Sequence, residues 1–268
     1  MIHLYDGNNV MLRAAHKPQL GAQRPMSMRL RYEHACAQPP GTQIWCWDGR
    51  DHNAMRQAIY PRYKTNREPQ AENIFAQIKL WKDLLKCSPA TQITVENWEA
   101  DDVIGTLVRK LAARGTPCTI HTNDMDYAQL AHLPNVTLNG VNTKGVPARW
   151  VCLYKALVGD NSDYIAGIPG FGDSIKDGVR TGAWIKMEPH WPQIERAIRI
   201  GDPAGFVGLP FKPSVAAWLT EQQNVDTLQA MLTITHFFTV PDDELDGGVT
   251  AGELNRQTAT NLLGKFFL

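Results

Sequence analysis

The chain has 268 residues, of which 43% are apolar and 20% are charged, and its formal net charge is zero. These proportions are typical of a well-packed globular protein, and no apolar run approaches the roughly 18 residues of a membrane span. The five cysteines are odd in number and none stands in a CxxC spacing, and the chain begins with MIHLYD rather than a signal-peptide pattern. The composition therefore excludes a disulfide-stapled or membrane-spanning protein and predicts a cytoplasmic one.

The first half of the chain alternates predicted strands with predicted helices. The strand HLY precedes Asp6, and the helices NNVMLRAAHK and MSMRLRYEHACA follow it. The strand IWCW precedes Asp48, and after a basic loop ENIFAQIKLWKDLLK has apolar residues at helical spacing. The strand ITV leads to the helix ADDVIGTLVRKLAARG, which Gly115 ends as a C-cap, and CTIHT is the strand before Asp124. This alternation predicts an α/β fold with a central, mostly parallel sheet flanked by helices.

From Trp150 onward the strand signal fades and helical patterns dominate. WVCLYKALVG predicts a helix, and the glycine-rich GDNSDYIAGIPGFG follows it. The strongest helical segment beyond these is VAAWLTEQQNVDTLQAMLTITHFF, and proline and glycine around positions 201–213 predict a loop. We therefore predict two domains: an α/β core over residues 1–160, with a basic segment at about 50–90, and a helical region over residues 161–268.

Nine acidic residues fall in five tight groups within the first 163 positions. They are Asp6, Asp48, Glu99, Asp101, Asp102, Asp124, Asp126, Asp160 and Asp163. The first four groups follow predicted strands, and ligands of an open α/β sheet bind at the carboxyl ends of its strands. So many carboxylates stay ionised together only if cations neutralise them, and oxygen-only ligands favour Mg²⁺ or Mn²⁺ over zinc. The pattern predicts a metal-dependent phosphoryl-transfer site.

Three of the acidic groups also have a simpler structural interpretation. The acids of ENWEADD could cap the helix that follows them, since a helix N-terminus favours carboxylates. Those of TNDMD could form an ordinary turn, and those of GDNSD could cap the next turn. The presence of the other acidic groups, with four of the five after predicted strands, favours the metal interpretation.

The segment YPRYKTNRE places cations and aromatic rings directly after the Asp48 strand. An isolated basic run is usually a solvated loop, but tyrosines between cations can stack on unpaired bases. A cation above a metal site can also stabilise charge on a phosphate. The residues predicted to contact DNA here are Arg56, Arg62, Tyr63, Lys64 and Arg67. Apart from the nine clustered acids, basic residues outnumber acidic ones, so the remaining surface suits a polyanion.

The string GIPGFG is expected to bring backbone N–H groups close to a phosphate. Gly167, Gly170 and Gly172 leave the backbone accessible, and a helix after them would add its dipole.

Taken together, these strings resemble the 5′-nuclease family, which includes flap endonucleases, phage 5′→3′ exonucleases and the N-terminal domain of bacterial DNA polymerase I. YKTNRE, VENWEADDVIGTLV, TNDMDYAQL, ALVGDNSDYIAGIPGFG and MLTIT…DDEL stand in the family's order and at similar spacing. The match runs from Asp6 to about Gly172 and continues weakly beyond. It implies a divalent-metal-dependent 5′→3′ exonuclease and structure-specific flap endonuclease that leaves 5′-phosphate products.

The resemblance also implies roles for individual residues in a two-metal mechanism. The expected ligands of the first Mg²⁺ are Asp6, Asp48, Glu99, Asp101 and Asp102. Those of the second are Asp124, Asp126, Asp160 and Asp163, and Mn²⁺ would substitute at both. The catalytic set would be Lys64, Arg67 and Asp101. Lys64 and Arg67 would stand at the foot of an arch through which a 5′ single strand passes. Arg13 looks like a phosphate contact, and GIPGFG would open a helix–three-turn–helix motif that grips duplex backbone and binds K⁺.

The chain departs from the family pattern at two places. Met125 in TNDMD replaces a lysine between the aspartates, and the usual lysine-bearing helix after Gly172 becomes DSIKDGVRTGAW. Lys176 is displaced there, and Gly178 and Gly182 interrupt the segment.

The expected partner is DNA with a 5′ end, flap or nick, including RNA primers in duplex, in a bacterial or phage-infected cell. No polymerase region follows, so a stand-alone nuclease is expected. Two alternatives remain open: a metal-dependent ribonuclease of the related PIN-like type, and a non-catalytic DNA-structure-binding protein.

Overall fold

A computed structural model of the chain describes residues 1–16, 23–68, 71–177 and 179–267, so the interruption expected at Gly178 lies outside the described residues. The strands are β1 (Ile2–Asp6), β2 (Gln43–Trp47), β3 (Thr91–Thr94), β4 (Cys118–His121), β5 (Val136–Asn139), β6 (Ile175–Lys176), β7 (Val179–Arg180) and β8 (Val249–Ala251). The α-helices are α1 (Gly7–His16), α2 (Gln23–Cys36), α3 (Ala54–Ile59), α4 (Glu72–Lys86), α5 (Ala100–Ala113), α6 (Val151–Val158), α7 (Ala183–Lys186), α8 (Trp191–Ile200), α9 (Pro213–Leu219), α10 (Gln222–Ile234), α11 (Asp242–Gly247) and α12 (Arg256–Phe267). Short 3₁₀ helices cover Met125–Leu130, Ala148–Trp150, Glu188–His190 and Pro203–Phe206.

The central sheet has the strand order β5-β4-β1-β2-β3-β8. Strands β1 to β5 pair in parallel with their neighbours, whereas β8 pairs antiparallel with β3. The prediction of an α/β fold with a mostly parallel sheet flanked by helices is therefore confirmed. The local patterns missed β5 and β8, since β8 is short and fully exposed and its place depends on β3.

The chain forms two compact units whose segments alternate along the sequence. Unit 1 consists of residues 1–52, 68–142 and 237–268, and unit 2 consists of residues 53–67 and 143–236. This corrects the expected division at residue 160. The cause is that the last segment returns to the sheet, where β8 bonds to β3, while α3 and the residues after it belong to unit 2.

Unit 1 packs its apolar residues on both faces of the sheet. Trp45 and Trp47 of β2 lie in one buried cluster with Trp81 and Leu84 of α4. Successive strand residues point to opposite faces, so Cys46 lies on the other face, where α5 contacts β1 and β2. The apolar stripe predicted for α4 thus belongs to the core.

Unit 2 is built mainly from helices. Trp184 and Trp191 are fully buried and stack with their ring centroids 4.0 Å apart. The long helical segment predicted after position 213 is divided into α9 and α10, because Glu221 is extended and the Thr220 hydroxyl bonds to the Ala217 carbonyl. The region after residue 160 is therefore mostly helical, as expected, apart from the β6–β7 hairpin and β8. None of the helices in the described ranges has the length and apolar character needed to cross a bilayer.

Candidate metal centre

Acidic residues follow four neighbouring parallel strands of unit 1. Asp6 is the last residue of β1, Asp48 follows β2 directly, and Asp124 follows β4. Glu99 is the N-cap of α5, the helix after β3. Because β4, β1, β2 and β3 are adjacent and parallel, these residues lie at one edge of the sheet.

Asp6 lies beside a buried tyrosine that other acids also approach. Its carboxylate is 6% exposed, and Oδ1 accepts a bond of 3.0 Å from the Asn9 N–H. Oδ2 is 3.4 Å from the Tyr127 hydroxyl. Burial raises the pKa of Tyr127 well above its ordinary value, and the charges of Asp6, Asp101 and Asp124 raise it further. Asp6 thus contacts the phenol, and the charges of Asp101 and Asp124 act on the same group.

Asp48 joins the end of β2 to the start of α5. Its Oδ1 accepts the Ala100 N–H at 2.9 Å, and its Oδ2 accepts a bond from the Asn8 side chain. Glu99 is 1% exposed and makes no side-chain capping hydrogen bond to α5. Asp48 therefore caps α5 from another strand, and the capping interpretation does not account for Glu99.

Asp102 has a different role from its neighbours, because it holds residues 237–240, here called the strap, against α5. Its side chain is fully buried, and Oδ1 accepts the Phe238 N–H at 2.8 Å. One and two turns later, the Thr106 hydroxyl accepts the Val240 N–H at 3.0 Å, and Arg109 donates to the Phe237 carbonyl at 2.9 Å. One face of α5 is thus occupied by backbone groups of the strap.

The two acids of TNDMD shape the turn that follows β4. Asp124 is half-buried, and its Oδ1 accepts the Asp126 N–H at 3.0 Å, which caps the 3₁₀ helix Met125–Leu130. Asp126 is 7% exposed. Asp124 therefore does form a turn, as the simpler interpretation predicts. This bond uses Oδ1, and Oδ2 takes no part in the cap.

The predicted ligands of unit 1 have the chemical type that a hard divalent cation prefers. Asp6, Asp101 and Asp124 supply oxygen only, and all three act on the same buried phenol. Within the described ranges, however, no three His, Cys, Asp or Glu side chains are close enough together to hold one ion between them. The acids therefore share a sheet edge without forming a closed ligand cage.

Asp160 and Asp163 belong to unit 2, where a buried lysine lies between them. Lys155 Nζ is 2.5 Å from Asp160 Oδ2 and 3.2 Å from Asp163 Oδ2. Burial is the largest single influence and opposes ionisation of both carboxyls. The Lys155 charge, together with hydrogen bonds from neighbouring groups, nevertheless lowers both pKa values, that of Asp163 to about 2. Lys64 and Arg67 contribute to the low pKa of Asp163.

The YKTNRE segment is fastened to the same loop. Arg67 donates to Asp163 Oδ1 at 2.9 Å, and Lys64 Nζ is 4.0 Å from that oxygen. The Lys64 N–H bonds to the Asp163 carbonyl, and Asn66 donates to the Asn161 carbonyl. Both predicted catalytic cations therefore lie at Asp163, with the Lys64 side chain 8% exposed and that of Arg67 51% exposed.

Two predicted DNA contacts are corrected by their burial. Arg56 is 2% exposed, and it donates to the carbonyls of Ile234 and His236 at the end of α10. Tyr63 is 3% exposed, so its ring has no open face for an unpaired base. Both side chains hold unit 2 together.

The other predicted DNA contacts are more accessible. Arg13 is exposed on α1, and Arg62 is exposed with its guanidinium 4.4 Å from the Tyr164 ring centroid. Among the described residues other than its chain neighbours, none has a heavy atom within 4 Å of a Cβ added at Gly172, and at Gly170 the Ser214 Oγ lies 3.9 Å away. Gly167 is different, because an added Cβ would meet the Gly159 nitrogen at 2.6 Å. Gly167 is therefore required for packing against the end of α6.

The expected helix–three-turn–helix motif is not confirmed. The segment after Gly172 forms the β6–β7 hairpin instead of a helix. Arg180 of β7 pairs with Asp173, and the Tyr154 hydroxyl donates to the same aspartate at 3.1 Å. These contacts fix the hairpin against α6, so the helix dipole expected after GIPGFG is missing there.

Sequence reasoning missed Lys155, Tyr127 and Asn8. Lys155 is the single charged residue in the apolar helix VCLYKALV and is 4% exposed, so its unusual context was a readable signal. Tyr127 and Asn8 carried no such signal, since each is defined by its contact with a distant aspartate.

Comparison with known proteins points to one family. A family model described as "5′-3′ exonuclease, N-terminal resolvase-like domain" matches residues 1–151. DNA polymerase I of Caldicellulosiruptor bescii is 32% identical over 63% of this chain and 23% of that protein. A 5′-3′ exonuclease of Halalkalibacterium halodurans is 32% identical over 47% of this chain and 46% of that protein. The chain thus spans about a quarter of the first relative and just under half of the second.

The fold has a solved counterpart. A bacteriophage T5 flap endonuclease, in a pseudo-enzyme–product complex with DNA and metal ions, matches with a TM-score of 0.55. The match covers 99% of this chain and 96% of that one at 17% identity, so it is evidence for the fold. Since the family model accounts for more than half of the residues, the chain belongs to the 5′→3′ exonuclease family.

Proposed function

We propose that this protein is a divalent-metal-dependent 5′-nuclease that hydrolyses DNA phosphodiesters at a free 5′ end or flap. The observation that carries the proposal is the set of acids that follow four adjacent, parallel strands at one edge of the sheet. Membership of the exonuclease family supports it, as does the fold shared with a flap endonuclease bound to DNA and metal ions.

The side chains proposed to hold Mg²⁺, or Mn²⁺ in its place, are Asp6, Asp48, Glu99, Asp101, Asp124 and Asp126. Bound there, the metal would supply Lewis acidity and a more acidic water. Asp48 accepts the N–H of Ala100, the first residue of α5, and so positions Asp101 in the first turn of the helix. Asp102 is left out of this set, because its Oδ1 is bonded to the strap.

The cations proposed to act on the substrate are Lys64 and Arg67. Half of the Arg67 side chain is exposed, so its guanidinium is proposed to reach a phosphate while its Nε stays bonded to the Ser162 carbonyl. Arg13 and Arg62, with Gly170 and Gly172, are proposed to contact the DNA backbone. Such contacts carry little sequence information, so binding should be salt-sensitive and nearly independent of sequence.

The proposed reaction adds water across the P–O3′ bond and leaves a 5′-phosphate and a 3′-hydroxyl. The expected substrates are flaps, nicks and duplexes with a free 5′ end, including RNA primers. A two-metal mechanism would place the second ion at Asp160 and Asp163, where Lys155 now lies, and K⁺ at GIPGFG remains part of the proposal.

The test is to incubate 5′-labelled flap and nicked duplexes with Mg²⁺ or with EDTA. Cleavage is expected with Mg²⁺ and not with EDTA, and Asp101→Asn should reduce its rate by more than about a hundredfold. Asp246→Asn, at an exposed position of α11, is the matched control and should retain the rate. Cleavage that survives EDTA or Asp101→Asn would overturn the metal mechanism.

The same experiment separates the alternatives. An RNA of the same sequence cleaved faster than the DNA flap would favour a PIN-like ribonuclease. Tight flap binding without cleavage in Mg²⁺ or Mn²⁺ would favour a DNA-structure-binding protein.

A further inference from the structure

The aspartates of the GDNSD loop already have a cation between them. Lys155 is 4% exposed, and its ammonium contacts one oxygen of Asp160 and one of Asp163. A buried ammonium is costly unless it is paired and hydrogen-bonded, so this contact accounts for its position within unit 2.

The position of Lys155 is set by the fold of α6. Val151, Leu153, Ala156 and Leu157 of this helix are buried with it, and Gly159 ends the helix with a positive φ of 95°. The chain then turns back, so that the Asp160 and Ile165 backbones bond to each other in both directions. The turn at Gly159 and these backbone bonds therefore fix the loop at the end of α6, which keeps the ammonium and the two carboxylates together.

Three cationic side chains lie close to the two carboxylates of the loop. Two carboxylates face Lys155, and Arg67 at 2.9 Å and Lys64 at 4.0 Å add two further cations at Asp163. Asp160 is held in addition by the Ser162 N–H at 2.8 Å and the Ser162 hydroxyl at 2.6 Å. A divalent cation that approached these carboxylates would meet three positive side chains.

We propose that Lys155 is the built-in counter-ion of Asp160 and Asp163, so that a divalent ion binds this pair only in competition with the Lys155 ammonium. The chain then has one class of tight divalent site, at the acids of unit 1, and a weaker one at the GDNSD loop. The lowered pKa values of both carboxyls agree with this assignment. The inference rests on the metal dependence in the proposed function.

The test is a calorimetric titration of the whole chain with Mn²⁺ alone, checked by the loss of the free-ion signal in electron paramagnetic resonance. The wild type is expected to bind Mn²⁺ tightly in unit 1 and weakly at the loop. Lys155→Met should strengthen the weak site about tenfold or more, because one neighbouring charge changes the proton affinity of a carboxylate by that much.

Two variants make the experiment specific. Lys155→Arg keeps the charge and should bind Mn²⁺ as the wild type does. Lys186→Met removes a charge from an exposed position of unit 2 and should leave both sites unchanged. A crystal structure with Mn²⁺ at the concentration that fills only the tight site should keep Lys155 against both carboxylates.

The inference fails if the wild type fills the loop as tightly as unit 1, or if Lys155→Met binds Mn²⁺ there no better. If Lys155→Met does not fold, the wild-type titration and the Mn²⁺ crystal structure still decide. A protein that binds Mn²⁺ as expected but cleaves no DNA would refute the proposed nuclease and leave the role of Lys155 intact.

Discussion

The strap offers the sharpest test of how the acids of α5 divide their roles. Asp102→Ala removes the acceptor of the Phe238 N–H, a fully buried carboxylate at 2.8 Å. A hydrogen bond to a charged group contributes about 1.5–3 kcal/mol, and the truncation also leaves the N–H without this acceptor. We therefore expect the free energy of unfolding to fall by about 2–3 kcal/mol and the Tm by roughly 4–10 °C.

Asp102→Asn separates this bond from the charge. The amide oxygen can still accept the Phe238 N–H, so the loss of stability should be within about 1 kcal/mol. Mn²⁺ affinity should also be retained, whereas Asp101→Asn should weaken it without a comparable loss of stability. Thermal unfolding and Mn²⁺ calorimetry on the same samples give both quantities, with Asp246→Ala as an exposed control.

Two results would refute this division of roles. If Asp102→Ala unfolds at the wild-type temperature, the bond to the strap contributes nothing measurable. If Asp102→Asn remains stable but binds Mn²⁺ many-fold more weakly, Asp102 is a metal ligand, as the family resemblance implies.

Three further predictions concern packing and charge. Gly49→Ala would place a Cβ 1.9 Å from the Val95 carbonyl oxygen, so the free energy of unfolding measured in urea should fall by more than about 2 kcal/mol. Gly264→Ala in α12, where an added Cβ has open space, is the control and should be neutral or stabilising. Arg56→Met leaves two backbone carbonyls without their donor and should lower the stability of unit 2 by about 2–3 kcal/mol, while flap affinity by fluorescence anisotropy stays unchanged in the folded fraction. The pKa of Asp163 is depressed to about 2, so its ionised carboxylate stabilises the folded protein fully above its ordinary pKa. This contribution is lost as the pH falls from about 4 to about 2, so the difference in the free energy of unfolding between the wild type and Asp163→Asn should vanish in that range.

The sheet edge could be predicted from sequence because its signals are local. Apolar runs of strand length followed by Asp6 and Asp48 identify both the strand and the position where it ends. A parallel sheet then brings such residues to one edge without any knowledge of side-chain contacts. The helices α4 and α5 could be predicted in the same way from their apolar stripes, whereas the order of the strands comes from the structure.

The partners of individual side chains could not be predicted in this way. Asp102 bonds to Phe238, which lies 136 positions further along the chain, and Arg56 bonds to carbonyls nearly 180 positions away. Nothing in a local pattern distinguishes an acid that faces a metal from one that holds a distant backbone. Lys155 is an intermediate case, since its apolar helix signalled burial but did not identify the carboxylates it pairs with.

The antiparallel pairing of β8 with β3 has a consequence for how the protein is made. While the chain leaves the ribosome, one side of β3 keeps unsatisfied amide and carbonyl groups until Ala251 has been synthesised. Such an edge can recruit strands from other nascent chains. Translation pauses that separate β3 from β8 should therefore promote aggregation, and a chaperone that covers this edge should relieve it.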